Sequence, residues 1–457
     1  MRFSLFQQHR AEVDMTKGSI LRHVLMFALP LMVGNLFQQL YNMVDTWVVG
    51  NFVSNEAFSA VGTVSPVVNL MIGFFSGLSS GAGVVISQNY GAGKPDRVHD
   101  AVHTALLMTL ILGVIMTFAG IAFVPLAVRL SNTPAEVAPE ARLYLTIYFS
   151  GIMGLLIYNI GAGIFRAIGN SLFPFLFLVF SALLNTGLDL LLVLKFGMGV
   201  DGVAYATIAA QGISAILILV MLMRTRTCVR FTPKHLKLHW SLLGSIFRIG
   251  IPAALQMAIT SFSNIFVMGY INAFGKDVMS GWTAYSKVDQ LLFLPMQSVA
   301  LASTTFVGQN IGADNLERAK KGVRVALLIS LSMTAVSSVP VMVFAPSIVS
   351  FFNRTPEVIR NGTIFLRFIT PFYLFSCIHQ VYAGALRGAG NARAPMFIMV
   401  GSFVVFRQIY LYIMANYISN TMLWIGFAYP VGWLLCSLIT WIYYKTVPLD
   451  RRHKAIS

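Results

Sequence analysis

The chain is dominated by long apolar stretches separated by short polar connections. A run such as 106–123 is apolar on every helical face, so it shows neither the alternation of a half-buried strand nor the polar stripe of a soluble helix. A helix needs about 20 apolar residues to span a bilayer. Stretches of that length lie at 22–49, 56–88, 101–124, 140–165, 171–195, 201–223, 244–274, 279–309, 320–345, 358–386, 395–417 and 421–445. The pattern predicts about twelve membrane-spanning helices.

Composition supports this interpretation. Hydrophobic residues make up 57% of the chain and charged residues only 11%, and the mean hydropathy is +0.75. A soluble domain of this size would lack the polar surface to face water. The sequence therefore predicts an all-α integral membrane protein, multi-pass in the cell membrane, with the lipid bilayer as its main surroundings.

The distribution of Lys and Arg along the chain predicts the orientation of the protein in the membrane. The net charge of +16 alone is compatible with a nucleic-acid binder, but 23 of the 32 Lys and Arg fall on alternate connections, on one side of the predicted membrane. These basic segments are the N-terminus, 94–97, Arg166, 224–248, 318–324, 387–393 and the C-terminal tail. By the positive-inside rule, both termini are predicted to be cytoplasmic, the helix count to be even, and no nucleic acid to be bound.

A basic connection near the middle of the chain divides it into two predicted lobes. The predicted boundaries are an N-terminal cytoplasmic segment 1–19, a first lobe 20–223, a cytoplasmic linker 224–243, a second lobe 244–445 and a cytoplasmic tail 446–457.

Self-comparison shows that the two lobes are repeats. Gln88-Asn89-Tyr90-Gly91-Ala92 recurs 221 residues later as Gln309-Asn310-Ile311-Gly312-Ala313. At the same shift, Arg166-Ala167-Ile168-Gly169-Asn170 recurs as Arg387-Gly388-Ala389-Gly390-Asn391. All four motifs lie on the basic side, so the repeat is parallel, with two six-helix lobes predicted around a central cavity. The motifs themselves suit tight turns at helix ends, which favours a structural role.

Through these motifs, residues from about 16 to 446 resemble the multidrug and toxic compound extrusion family of transporters. The resemblance also includes Asn42-Met43-Val44-Asp45-Thr46, followed by Val49-Gly50, in the first stretch. It implies secondary active efflux of cationic or amphipathic toxic compounds in exchange for protons or sodium ions, by alternating access between two lobes.

Two acids inside apolar stretches are the leading functional candidates. A charged side chain in lipid costs roughly 3 kcal/mol on insertion scales, so each one is a functional hypothesis. Asp45 lies in the first stretch and Asp189 in the fifth. The second repeat has Tyr410 in place of Asp189 and, across a three-residue gap, Asn264 in place of Asp45. Because the repeated fold does not require these acids, we predict that they couple ions; inter-helix hydrogen bonding is the open alternative.

The resemblance extends this pair to a set of first-lobe residues. Asn185 lies four residues before Asp189 on the same helical face. By the resemblance, Asn185 and Thr207 join the ion-coupling pair, Gln38 and Tyr144 line the cavity, and Pro30 is the bend point of the first helix. Proline also weakens a helix by itself, because it lacks an N–H and clashes with the preceding turn.

The second lobe departs from the family pattern. Branches that couple sodium there use carboxylates in the seventh and tenth helices, where this chain has Gln256, Asn264, Cys377, His379 and Gln380. That difference argues against a second-lobe sodium site. Gln256, Asn264 and His379 are predicted to line the substrate cavity instead.

Three charged residues of the second lobe stay open at this stage. Asp289 could bind a cation, but a contact with Lys287 is favoured. Arg407 needs a partner, for which Asp289 is a candidate.

Rival function classes are disfavoured by particular residues. A flippase for a lipid-linked oligosaccharide or cell-wall precursor would need several Lys or Arg around an anionic pyrophosphate, and the first-lobe helices have none in their interior. No phosphate-binding, catalytic or metal-ligating pattern is present, and Cys228, Cys377 and Cys436 are far apart. We therefore expect no enzyme activity and no cofactor beyond a coupling ion, H⁺ or Na⁺. Small organic cations are the expected substrates of a monomer.

The orientation can be checked by labelling single cysteines in a background without Cys228, Cys377 and Cys436. Lys237→Cys should resist an impermeant maleimide added to intact cells, because the basic linker faces the cytoplasm. Lys276→Cys, on an opposite connection, should react and serves as the matched control. Labelling of the cysteine at position 237 from outside would reverse the topology.

Overall fold

The computed structural model describes residues 12–131 and 133–449, without the side chains of Thr46, Asn55, Ser261, Phe262 and Ile265. Arg2, Arg10, Arg451, Arg452 and Lys454, which contribute to the predicted orientation, lie outside the described residues.

Within the described residues, the first repeat contains seven α-helices. They are α1 Ile20–Phe52, α2 Asn55–Gly91, α3 Pro95–Leu130, α4 Ala138–Ser150, α5 Ile152–Ala167, α6 Leu172–Leu190 with a π-helical extension Leu191–Lys195, and α7 Val200–Arg224. A 3₁₀ turn, Pro233–His235, follows in the basic connection.

In the described part of the second repeat there are ten α-helices of very different lengths. They are α8 Trp240–Asn272, α9 Lys276–Gly312, α10 Leu316–Val343, α11 Ala345–Phe352, α12 Pro356–Ile369, α13 Tyr373–Gly388, α14 Arg393–Val400, α15 Arg407–Ile413, α16 Met422–Gly426 and α17 Ala428–Thr446. A 3₁₀ turn, Thr370–Phe372, joins α12 to α13, and π-helical turns Gly401–Phe406 and Met414–Ile418 flank α15.

The predicted all-helical membrane fold is confirmed. Within the described residues, 11 helices are long and apolar enough to cross a membrane, or up to 12 if the bent pair α4 and α5 forms one span. That pair is bent by 49° at Gly151. A Cβ at Gly151 would lie 2.4 Å from Cβ of Ile208, so the bend brings α7 against the backbone here. The predicted stretch 140–165 therefore consists of two helices that are together long and apolar enough for one span.

Two pairs of helices match between the repeats residue for residue. Helices α2 and α9 both have 37 residues and begin 221 positions apart, and α5 and α13 both have 16 residues at the same shift. The turns match as well. Gly169 and Gly390 have φ of +81° and +84°, and Gly93 and its counterpart Asp314 have φ of +65° and +54°. The register read from the motifs therefore extends through whole helices.

The asparagine of the Arg-x-x-Gly-Asn motif shapes the next helix in both repeats. Asn170 Oδ1 accepts hydrogen bonds from the Leu172 and Phe173 N–H groups, at 3.0 and 3.1 Å. Asn391 Oδ1 accepts from the Ala394 N–H at 3.2 Å. These bonds satisfy N–H groups that a helix start leaves without a partner.

Contacts divide the chain into two compact units whose boundaries fall inside helices. The first unit contains Val33–Ala254 and the segment ending at Asp14; the second contains Met15–Met32 and Leu255–Ser457. Helix α1 thus changes unit after Met32, two residues beyond Pro30. Helix α8 changes unit after Ala254, two residues beyond Pro252. In both repeats the change of unit follows the proline of the first helix.

The segment before α1 binds the repeated motifs. In the first unit, the Val13 N–H donates to the Ile168 carbonyl at 3.0 Å. In the second unit, the Met15 N–H donates to Gln309 Oε1 at 2.9 Å, and Asn310 Nδ2 and Arg318 Nε donate to the Met15 carbonyl at 3.3 and 3.1 Å. The motifs therefore bind the segment before α1 as well as closing turns.

Two glycines with left-handed backbone provide a matched test of this docking. An added Cβ at Gly169 would lie 2.4 Å from the Val13 carbonyl oxygen, whereas Gly93 has no atom within 4 Å. Both alanine variants incur the strain of a positive φ, of about 1 kcal/mol or more, but only Gly169→Ala also displaces the segment. The thermal unfolding midpoint of the purified protein should fall further for Gly169→Ala than for Gly93→Ala. Equal shifts would show that the docking contributes nothing to stability.

Candidate functional site

The first unit brings the two predicted acids together. Asp45 lies on α1 and Asp189 at the end of α6, and their carboxyl groups are immediate neighbours. Asp189 is fully buried, and neither of its oxygens has a hydrogen-bond partner among the described residues beyond this carboxyl group. In the described part of the chain, no Lys, Arg or His lies within 4.0 Å of either acid. The pair is therefore a buried acidic site without a basic counter-charge.

The helix carrying Asp189 changes its winding directly after the acid. Helix α6 ends at Leu190 and continues as a π-helical turn, Leu191–Lys195. The turn closes with the Phe196 N–H donating to the Leu191 carbonyl at 3.3 Å. Single π turns inside helices occur frequently at functional sites because they alter the direction of neighbouring side chains.

Two tyrosines lie near the acid pair, and a third stacks on one of them. Tyr41, one turn before Asp45, hydrogen-bonds to Gln38 through its hydroxyl and lies near both acids. Tyr144 also lies near both acids, and its ring stacks on Tyr148 with centroids 6.3 Å apart and planes 11° from parallel. The predicted residues Gln38 and Tyr144 therefore lie at this site.

Further polar side chains of α6 and α7 have unused hydrogen-bonding capacity. Asn185, one turn before Asp189, is buried, and both polar atoms of its amide lack a partner in the described structure. Thr207 donates its hydroxyl proton to the Val203 carbonyl at 3.0 Å, which leaves oxygen lone pairs unused. Buried polar groups are nearly always paired, so the unpaired atoms of Asn185 and Asp189, one turn apart on α6, indicate a place for a proton, an ion or water.

Gln211 and Ser214 of α7 are further polar residues here that were not predicted from the sequence. Tyr148 lies beside Gln211 of α7, and Ser214 on the same helix is buried without a hydrogen-bond partner among the described residues. Thr207, Gln211 and Ser214 follow the i, i+4, i+7 spacing of one helical face. That spacing was visible in the sequence and could have indicated them.

The second unit holds Asp289 in a different setting. The hydroxyls of Tyr285, at 3.2 Å, and of Tyr373 both donate to the same oxygen, Oδ1. The expected contact with Lys287 does not form, because residues two apart on α9 point in nearly opposite directions.

Arg407 also has partners other than the expected one. Its guanidinium donates to Ser263 Oγ at 2.7 Å and to Asn264 Oδ1 at 2.8 Å, and lies 4.8 Å from the centroid of the Tyr429 ring. Arg407 is therefore held by neutral groups of α8 and an aromatic face, and not by Asp289.

The remaining second-lobe candidates are separate side chains within the helical core. Gln256 is buried with its Oε1 unpaired in the described structure. His379 is buried with its ring 5.4 Å from that of Phe403, and Cys377 Sγ lies 3.2 Å from Thr334 Oγ1. These contacts do not bring Gln256, Asn264 and His379 into one polar group. Nor do the described residues include a cluster of three His, Cys, Asp or Glu suited to a metal ion.

Similarity to known sequences shows to which family the chain belongs. The sequence model of the MatE family matches residues 30–191 and, a second time, residues 252–413. The chain belongs to the MATE family. The two matches are offset by 222 residues and cover both repeats, in agreement with the repeat found by self-comparison. It is a transporter family, so the class expected from the sequence is confirmed.

Relatives across the MATE family cover nearly the whole chain. The chain is 30% identical to "Probable multidrug resistance protein YpnP" of Bacillus subtilis over 434 residues, 94% of this chain and 96% of the relative. It is 29% identical to "Probable multidrug resistance protein NorM" of Thermotoga maritima, over 93% and 92% of the two chains. The chain is therefore a multi-pass membrane transporter of a multidrug efflux family.

A solved structure shows the same fold. It is described as the outward-facing conformation of a multidrug resistance MATE family transporter of the MOP superfamily. The TM-score is 0.90 at 22% identity, covering 97% of this chain and 99% of the solved one. At this identity the likeness establishes the MATE fold alone.

Proposed function

We propose that this MATE protein exports cationic or amphipathic toxic compounds in exchange for protons or sodium ions. Asp45 and Asp189 form the coupling site in the first lobe. The proposal rests on one observation above the others: two neighbouring buried acids without a basic partner in the described structure.

The chemistry of the pair follows from its surroundings. Two neighbouring carboxylates in a low-dielectric site repel each other, so they cannot both stay ionised without a proton or a cation. A cationic substrate that binds nearby weakens the affinity of the two carboxylates for the proton or sodium ion. Departure of the substrate restores that affinity. This competition links the two fluxes in alternating access.

The same cluster offers ligands for either ion. A carboxyl pair can carry a proton. The oxygens of Asp45, Asp189, Asn185 and Thr207 also provide the hard donors that a small cation prefers. Gln38, on the same helix α1 as Asp45, and Tyr144, on α4, support the cluster. The donor set is open to both H⁺ and Na⁺.

The contacts of the pair disfavour the flippase alternative. An anionic pyrophosphate group needs Arg or Lys donors that can bind it in pairs. Among the described residues the acid pair has no such donor within 4.0 Å, and its own charge would repel an anion.

The remaining features of the proposed transporter follow from the sequence. Both termini and the linker 224–243 face the cytoplasm, because the basic residues concentrate there. The protein works as a monomer in the plasma membrane, takes small organic cations, binds no nucleic acid and uses no cofactor other than its coupling ion.

Pro30 is proposed as the hinge of α1. The helix is continuous from Ile20 to Phe52, but Pro30 removes one backbone hydrogen bond two residues before α1 changes unit. Pro252 occupies the same place in α8. A weakened point at a change of unit is where a helix can bend at least cost.

The acid pair can be tested by transport of ethidium into inside-out vesicles under an imposed proton or sodium gradient. Asp45→Asn and Asp189→Asn keep the shape and remove the charge. Each should lower gradient-driven transport at least about tenfold, equivalent to about 1.4 kcal/mol, with normal expression. Asp201→Asn, an acid in the first turn of α7, is the control and should transport as the unaltered protein does. Wild-type accumulation by either site variant would remove that residue from the coupling role.

The hinge can be tested by Pro30→Ala. Alanine restores the backbone hydrogen bond and favours a straight helix, so export should fall while membrane insertion and yield are preserved. Pro252→Ala makes the same change in α8 and shows whether both repeats bend. Export unchanged by Pro30→Ala would exclude bending of α1 from the cycle.

A further inference from the structure

The second lobe contains a carboxylate whose negative charge is not matched by a base. In the described structure, Asp289 has no Lys, Arg or His within 4.0 Å. Its Oδ1 accepts from Tyr285, one turn earlier on α9, and from Tyr373 at the start of α13. The two hydroxyls lie 3.3 Å apart. Both tyrosines are buried, whereas Asp289 is half-buried. The carboxyl group of a half-buried residue is thus fixed in direction by two neutral donors.

Aromatic rings pack against the two tyrosines that hold this carboxyl group. Trp282 lies 4.8 Å from Tyr285, and Trp433 lies 5.0 Å from Tyr373, measured between ring centroids. Tyr429 joins the two tryptophans, at 5.5 Å from Trp282 and 5.9 Å from Trp433. We call these five rings, Trp282, Tyr285, Tyr373, Tyr429 and Trp433, the aromatic cage. Aromatic faces attract cations, most strongly where water is excluded.

The cage already binds one cation of the protein itself. The Arg407 guanidinium lies 4.8 Å from the centroid of the Tyr429 ring and is almost fully buried. Its hydrogen bonds go to Ser263 and Asn264, so it leaves the carboxyl group of Asp289 without a guanidinium partner. A delocalised organic cation resembles guanidinium in its weak hydration and flat charged surface.

The repeat shows that the fold does not require this arrangement. Helices α2 and α9 have equal length at a shift of 221, as do α5 and α13. At that shift Asp289 corresponds to Val68, Tyr285 to Val64, and Tyr373 to Ile152. The first repeat thus packs the same helices with aliphatic side chains. A buried polar cluster that replaces aliphatic packing lowers the gain from burial unless it serves another purpose.

We propose that Asp289 and the aromatic cage form a subsite in the second lobe that binds the charged group of an aromatic organic cation. Asp289 supplies the opposite charge, and the rings of the cage pack against the cation. Tyr285 and Tyr373 orient the carboxylate. The inference rests on the proposed function, since it assigns a place in the second lobe to the exported cation. It separates this place from the ion-coupling acids of the first lobe.

The test measures equilibrium binding of ethidium, by fluorescence, to the purified full-length protein in lipid nanodiscs. Asp289→Asn removes the charge and keeps the size, and should raise the Kd for ethidium about tenfold or more. Asp277→Asn, on the first turn of the same helix, is the matched control and should leave the Kd unchanged. A neutral aromatic compound of similar size should bind Asp289→Asn as it binds the unaltered protein.

A second variant guards against a folding defect in the first. Tyr285→Phe combined with Tyr373→Phe keeps every ring of the cage and removes only the two hydroxyl donors. It should weaken ethidium binding several-fold, because the carboxylate is no longer held in one direction. Unaltered affinity in this double variant, or in a folded Asp289→Asn protein, overturns the subsite.

The two proposals fail in different ways. Gradient-driven ethidium transport by wild-type protein, together with wild-type affinity in Asp289→Asn, would overturn the subsite and leave the exporter intact. Failure of the wild-type protein both to bind and to transport ethidium would overturn both. Weakened binding in Asp289→Asn with normal binding in Asp45→Asn would place the cation's charge in the second lobe, as proposed.

Discussion

Lipid cannot solvate polar groups, and the rest of this structure depends on that constraint. Backbone groups must pair within each span, which makes every span a helix. Side chains follow the same rule: Arg407 is held by Ser263, Asn264 and the Tyr429 ring. The pair Asp45 and Asp189 is the clearest departure, since Asp45 Oδ1 and both oxygens of Asp189 lack protein partners beyond this pair in the described chain. A departure from so strict a rule is expected where the protein exchanges ions with its surroundings.

The repeats have one backbone and two chemistries. Equal helix lengths and matching left-handed turns show that duplication preserved the geometry closely. Carboxyl groups, however, occupy different positions: Asp189 corresponds to Tyr410, and Asp289 corresponds to Val68. The repeated fold therefore tolerates a neutral side chain at either position, so folding alone does not require these acids. The duplicated scaffold lets each lobe hold a carboxyl group in its own environment.

Sequence reasoning predicted the features that depend on local composition or on repetition. Span lengths follow from bilayer thickness, and the register followed from two motif pairs. The setting of Asp289 could not be predicted, because Tyr373 lies 84 residues away and approaches only through the packing of α9 on α13. Lys287 was a misleading partner since proximity in sequence differs from proximity on a helix. The π turn after Asp189 likewise depends on the packing of the whole lobe and leaves no distinct sequence pattern.

The residues just before α1, including Val13 and Met15, matter for how the protein is tagged or truncated. Met15 is almost completely buried, and its backbone N–H and carbonyl form hydrogen bonds with the side chains of Gln309, Asn310 and Arg318. Removing this segment would take away the Met15 N–H that binds Gln309 and the Met15 carbonyl that binds Asn310. The buried amides of both side chains would then need water or non-native partners. An affinity tag therefore belongs upstream of Glu12 and needs a spacer. A truncated protein starting at α1 would be a poor reference for any measurement on this transporter.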